Sequence, residues 1–223
     1  MRRVLTSFLI AAVLATLAGF EPLTAQAKKP PPRKPAPKPV QVPLKTATPE
    51  IKCPSLIGMG VKTVRSFCDV PAGRDPALGI VVTLPPHTGT GTLSFDLHAR
   101  HVYSEDEMKR GKVYARYRAG IGVLSMKGDL LSRGAIESEF RGATDLFDRI
   151  GGGAGPGSLK AVAPAGREQV FITIPANVDQ VSLLGEVLEA VTSAGREVAT
   201  PGRPVAIISD VQIEYIPAPV KKR

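Results

Sequence analysis

The sequence predicts an all-β domain, an antiparallel β-sandwich, behind an export signal and a proline-rich linker. Three observations carry this. Between Gly91 and Arg141 three stretches in a row alternate apolar and polar side chains, the period of a half-buried strand. Further alternating or apolar stretches lie on either side, separated by Gly and Pro turns. Helical spacing is almost absent, and several short strands with frequent turns make a two-layer sheet structure rather than a mixed one.

Taken in order, residues 1–27 read as a secretory signal peptide. Arg2 and Arg3 precede an apolar run from Val4 to Phe20, and Ala25-Gln26-Ala27 forms a small-x-small cleavage site. The rival reading is a retained membrane anchor, for which the run is slightly short of the roughly 20 residues a span needs. No second apolar run is long enough to cross, so no transmembrane segment is expected after cleavage.

Residues 28–49, KKPPPRKPAPKPVQVPLKTATP, read as a disordered linker. Proline at this density removes backbone donors and favours extended polyproline II, and like charges stiffen the chain further. Fully extended it would reach roughly 70 Å. Such composition resembles the Pro/Lys spacers of bacterial envelope proteins.

The net charge of +9 belongs mostly to the ends. Residues 28–50 hold six basic residues and one acid, and the basic tail 218–223 adds Lys221, Lys222 and Arg223. Residues 51–220 carry 18 Lys and Arg against 18 Asp and Glu. A nucleic-acid-binding domain carries its basic patch on the fold, so this distribution argues against nucleic acid. Basic ends outside the cytoplasm suit an anionic envelope surface.

The folded domain is placed at 50–217. Ile51 to Cys53 is expected as an edge strand, Val61 to Val70 as a strand, and Gly79 to Leu84 as a strand buried on both faces. In the first central strand Leu93, Phe95, Leu97, Ala99 and Tyr103 share one phase; Ser94, Asp96, His98 and Arg100 share the other. The next strand sets Val113, Ala115, Tyr117, Ile121 and Val123 against Tyr114, Arg116, Arg118 and Leu124. Ser104 to Lys112 is read as a polar hairpin loop and Met126 to Asp129 as a tight turn. Thr144 would cap a short helix, DLFDRI, offering Leu146, Phe147 and Ile150 to the core.

Glycines 151–157 form a flexible connection, since a phosphate loop would need Gly-Lys-Ser/Thr opening a helix. Glu168 to Ile174 is a strand. Gln180 to Thr192 fits helical spacing through Leu183, Val187, Leu188 and Val191, but also fits alternation with a bulge at Gly185. Its neighbours and the Gly195-Arg196 turn favour a strand. Pro204 to Ile216 alternates throughout.

The closing stretches VFITIP, 181–192 and AIISDVQIEY, with Ile208, Val211, Ile213 and Tyr215 on the last strand, resemble the end of a jelly-roll domain of the galactose-binding type over about 50 residues. The resemblance implies a jelly-roll sandwich and glycan binding through exposed Trp or Tyr. This chain departs from that pattern in having no Trp and four Tyr.

Two cysteines in an exported chain, Cys53 and Cys68, are expected as a disulfide, contributing about 3 kcal/mol in the chain-entropy picture. Metal binding would need further ligands close by, and redox chemistry a Cys-x-x-Cys motif. His98 and His101 lie three apart on a strand and point to opposite faces, so they cannot share an ion. No Gly-x-Ser-x-Gly elbow is present, and Glu105-Asp106-Glu107 lacks the order of a calcium loop. Neither enzymatic activity nor a cofactor or metal is expected.

The candidate ligand surface is one polar sheet face. Pairing the first two central strands as a hairpin sets Arg100 opposite Arg116 and His98 opposite Arg118. Pairing the second with the third sets Arg118 opposite Glu137 and Arg116 opposite Glu139. Asp96, His98, Arg100, Tyr114, Arg116 and Arg118 then share a face whose guanidinium groups suit carboxylate or phosphate. Arg100 has no acid opposite. The plain alternative is a solvated face of ion pairs worth about 0–1 kcal/mol each. The function expected is a non-catalytic exported module binding an envelope glycan, cell wall or a protein partner. The alternatives are an assembly component docked through its sheet edges and a hydrolase of unrecognised site.

Overall fold

The computed structural model describes residues 43–151 and 160–219. Residues 1–27, read as a signal peptide, most of the stretch read as a linker, residues 152–159 and the last four residues lie outside the described residues.

Among the described residues, twelve strands form two antiparallel sheets. Sheet I runs β3 (Leu56–Met59), β4 (Ser66–Pro71), β12 (Pro204–Pro217), β6 (His87–Ser104), β9 (Lys160–Ile174), with β1 (Lys45–Ala47) also paired to β12. Sheet II runs β2 (Glu50–Lys52), β5 (Ile80–Thr83), β10 (Gln180–Thr192), β7 (Ala115–Ser125), β8 (Leu130–Phe140), with β11 (Gly195–Val198) paired to β10. The sheets pack face to face over a core that includes Leu93, Phe95 and Leu97 of β6, Ile121 and Val123 of β7, Leu183 of β10 and Ile213 of β12. These are the apolar phases of the alternating strands, so the sandwich follows directly from the pattern. The Cys53–Cys68 disulfide joins the end of β2 in sheet II to β4 in sheet I.

Several elements differ from expectation. β1 lies within the stretch read as linker: Lys45 sits opposite Tyr215 and Ala47 opposite Ile213. The strand read from Val61 starts only at Ser66; before it Gly60 to Arg65 is a tight turn, closed by Gly60 N–H to the Arg65 carbonyl at 2.8 Å. The polar loop holds a short helix, α1 (Glu105–Lys109). The DLFDRI helix does not form. Instead Ala143–Asp145 is one 3-10 turn, with the Asp145 carboxylate accepting from the Arg141 and Gly142 N–H groups. Leu146, Phe147 and Ile150 nonetheless pack inward as expected. β5 alternates, with Ile80 and Val82 buried and Val81 and Thr83 half-buried, rather than being buried on both faces. The 180–192 segment is a strand, and its register shifts between Gly185 and Val187.

The largest difference is the first hairpin. β6 and β7 are not partners. β6 pairs β12 and β9 in sheet I, while β7 pairs β8 and β10 in sheet II. The ten residues from Glu105 to Tyr114 carry the chain from one sheet to the other. A two-residue Asn-Gly or Asp-Gly turn would have enforced pairing, and that link contains neither. The second hairpin is as expected, with Arg118 opposite Glu137 and Arg116 opposite Glu139.

Candidate functional site

The crossover divides the expected face. Asp96, His98 and Arg100 stand on sheet I; Tyr114, Arg116 and Arg118 stand at sheet II. The two groups lie in different layers and form no common surface.

On sheet II the side chains are solvated. Arg118 Nε lies 3.1 Å from Glu137, with both side chains more than 60% exposed. Glu139 takes Arg141 at 2.5 Å, and that guanidinium holds its carboxyl below the usual range. Tyr114 and Arg116 are exposed. Exposed pairs of this kind contribute little to stability.

On sheet I the polar phase of β6 is covered. The turn 60–65 and the segment 146–150 lie over it, and Phe67, Ile150 and Ile207 make a small second core there, with Phe147 and Ile57 packed on it. His98 is fully buried. Its Nδ1 is 2.7 Å from the Gly166 carbonyl, which can only accept, so Nδ1 carries the proton; Nε2 then accepts from Ser209 Oγ at 2.9 Å. Burial holds the ring below the ordinary histidine range, against the Gly166 bond and the Asp96 charge. The Ser209–His98 pair has the form of a nucleophile and base; His98 is fully buried, and Ser209, 2% exposed, belongs to the lining of a cleft beside Asp210.

Arg100 is not free. Its Nε donates to Asp69 Oδ1 at 2.8 Å, and Ser55 Oγ donates to Asp69 Oδ2. Asp96, 1% exposed, holds two arginines on one oxygen: Arg65 Nη1 at 2.6 Å and Arg167 Nε at 2.7 Å. Arg65 also reaches Asp210 at 3.0 Å through Nη2, and its guanidinium lies over the Phe147 ring. Asp210 has φ of 53°, in a bulge where β12 skips from Ser209 to Gln212 in its pairing with β6. On the other flank of β12, β4 stops at Ile208 and β1 begins at Ile213. A cleft of about 600 Å³ opens at this gap, lined by Ile51, Leu56, the Cys53–Cys68 disulfide and Val211, with Arg65 and Asp210 among its polar lining.

Beyond that cluster the outer face of sheet I is open. Register places Gln212, Ser94 and Phe171 in one row across β12, β6 and β9, and Glu214, Thr92 and Thr173 in the next. Phe171 is 62% exposed there, while its neighbours Val170 and Ile172 point into the core. Arg65, Arg167 and Phe171 were not among the expected site residues. Phe171 was detectable: in EQVFITI it is the one aromatic in the polar phase. Arg65 and Arg167 were not, because each meets Asp96 only through tertiary structure.

His101 faces the core. Its Nε2 is 3.1 Å from Ser138 Oγ and its ring stacks on Phe140 at 4.9 Å. Burial pushes it down to about 4. Among the described residues no group of three or more His, Cys, Asp or Glu is placed to hold a metal ion, and no helix is long and apolar enough to cross a membrane.

No protein-family model matches the chain, and no curated protein matches it. Among solved structures it is similar to the K1 cleaved adhesin domain of Lys-gingipain from Porphyromonas gingivalis W83, at 10% identity and a TM-score of 0.31, covering 78% of this chain and 91% of that one.

Proposed function

We propose that this chain is a non-catalytic exported binding module of the cell envelope, and that its ligand is a glycan polymer lying on the outer face of sheet I. The observation that carries the reading is Phe171. An aromatic ring left 62% exposed on a sheet face otherwise made of Ser, Thr, Gln and Glu has an apolar surface of the kind that packs on the C–H face of a sugar ring. Ser94, Gln212 and Thr173 supply hydroxyl and amide groups around it. Arg167, 45% exposed and held by Asp96, lies along the same strand as a pre-oriented donor. The face is open rather than cavity-like, which suits a long polymer better than a small molecule. Export rests on the signal-like residues 1–27 and on the disulfide, which persists in oxidising compartments.

The test is co-sedimentation of the mature chain with purified cell-wall polymer, alongside soluble glycans in titration calorimetry. Phe171→Ala should weaken binding at least tenfold while leaving the melting temperature unchanged, because the ring is not in the core. Arg116→Ala with Arg118→Ala should bind like the parent. Full binding by Phe171→Ala, or loss through the sheet II arginines, would remove this face from consideration.

A further inference from the structure

The cleft beside Asp210 is a gap that the strands of sheet I leave open. On the flank of β12 away from β6, β4 pairs as far as Ile208 and β1 pairs from Ile213. Ser209 to Gln212 therefore have no strand partner on that flank among the described residues. The cause is local. Asp210 holds φ of 53° in the bulge where β12 loses register with β6, and a bulge ends pairing and re-aims a side chain. Ile208 to Val211 line the cleft, so main-chain N–H and C=O groups along this stretch have the cleft beside them in place of a strand.

The rest of the lining is apolar or neutral. Ile51, Ile208 and Val211 belong to the main core or pack against it, and they line the cleft together with Leu56 and the disulfide. Its volume of about 600 Å³ falls in the range of small-molecule sites. The charged residues in the lining are Arg65 and Asp210, and they cancel. Arg65 gives Nη1 to Asp96 and Nη2 to Asp210; Arg167 gives Asp96 its second counter-charge. The other oxygen of Asp210 accepts from Gln212 Nε2 at 3.1 Å. Two guanidinium groups thus meet two carboxylates. An ion entering the cleft would lose water and find no unmatched counter-charge. We infer that the cleft binds a small uncharged molecule with an apolar body and an amide end. The body lies against Ile51, Leu56 and Val211, and the amide C=O and N–H meet the main chain of Ser209 to Gln212 as a strand would. This site goes beyond the glycan reading and does not use Phe171.

The experiment titrates the mature chain with three probes of matched size, phenylacetamide, phenylacetate and phenethylammonium, and follows backbone amide resonances by NMR. In the parent, phenylacetamide should shift the resonances of Ser209 to Gln212 and bind at least fivefold more tightly than either ion. Leu56 is 64% exposed, so Leu56→Ser should melt like the parent, yet it should weaken phenylacetamide at least threefold. Asp210→Asn keeps a residue that accepts the left-handed backbone and leaves the cluster one positive charge in excess. In that variant phenylacetate should overtake phenylacetamide. Phe171→Ala should bind phenylacetamide as the parent does, which separates a failure here from a failure of the glycan reading. A parent that binds the three probes equally, binds none of them, or shifts only elsewhere would overturn the proposal. So would unchanged binding by Leu56→Ser, or an unchanged order of probes in Asp210→Asn.

Discussion

Asp96 and Arg167 meet at 2.7 Å across sheet I, and the same Asp96 oxygen also takes Arg65 at 2.6 Å. One carboxylate, 1% exposed, therefore rests between two guanidinium groups that reach toward solvent. Removing one arginine leaves the carboxylate a counter-charge; removing both leaves it buried and unpaired. An unpaired buried charge costs about 3–5 kcal/mol. Arg65→Gln and Arg167→Gln should each cost about 1–2 kcal/mol, and the double variant more than their sum, with a coupling in the range of about 0.5–3 kcal/mol. Urea denaturation of the four proteins measures this. Additive losses would show that the two arginines do not share the carboxylate.

Gly60 and Gly142 make opposite predictions from similar chemistry. A methyl group at Gly60 would stand 2.2 Å from Asp148 Oδ2 and 2.8 Å from the Phe67 ring, with nothing free to move aside. At Gly142 a methyl group would meet nothing within 4 Å, and the backbone is extended at φ 177°. Gly60→Ala should cost about 3 kcal/mol or more, at or beyond the upper end for overpacking. Gly142→Ala should be neutral or stabilise by up to about 1 kcal/mol through the unfolded chain. Thermal melts of the two variants against the parent decide it.

The strands were legible because alternation is local. Leu93, Phe95 and Leu97 announce an inward phase without reference to any partner, and the β7–β8 hairpin follows from its short turn. The partners of β6 were not legible, because its neighbours β12 and β9 come from far along the chain and no turn motif forbids the hairpin with β7. The same limit governs the candidate site. The phase of Asp96, His98 and Arg100 says only that they leave the core. It does not distinguish water from a second layer, and here the layer comes from irregular segments, 60–65 and 146–150, that carry no periodic signal. The partner of Arg100, Asp69, stands on β4, outside the three central strands, so their pattern alone leaves Arg100 without an acid.

The two buried histidines set the acid stability. His98 is held below the ordinary range by burial, with Arg65 and Arg167 adding to that effect and Asp96 opposing it; His101 is pushed by burial to about 4, with Asp145 opposing. In the unfolded chain both titrate near 6.5. As pH falls below about 6.5 the unfolded state therefore takes up protons that the folded state refuses. Stability is full above that point and falls as pH drops toward 4, where His101 begins to protonate in place. His101 alone accounts for a loss on the order of 3 kcal/mol across that window. Asp148 works lower on the scale: burial raises its carboxyl, but hydrogen bonds from Thr63, Lys62 and Arg149 outweigh this and hold it below the usual range. Its contribution is present above about pH 4 and disappears as pH falls through the folded value. Denaturation midpoints between pH 8 and 4 should decline most steeply between 6.5 and 4 in the parent. His101→Phe keeps an aromatic ring against Phe140 and should flatten that decline without abolishing it, since His98 still titrates. An unchanged slope in His101→Phe would show that the ring is protonated in the fold and that burial does not govern it.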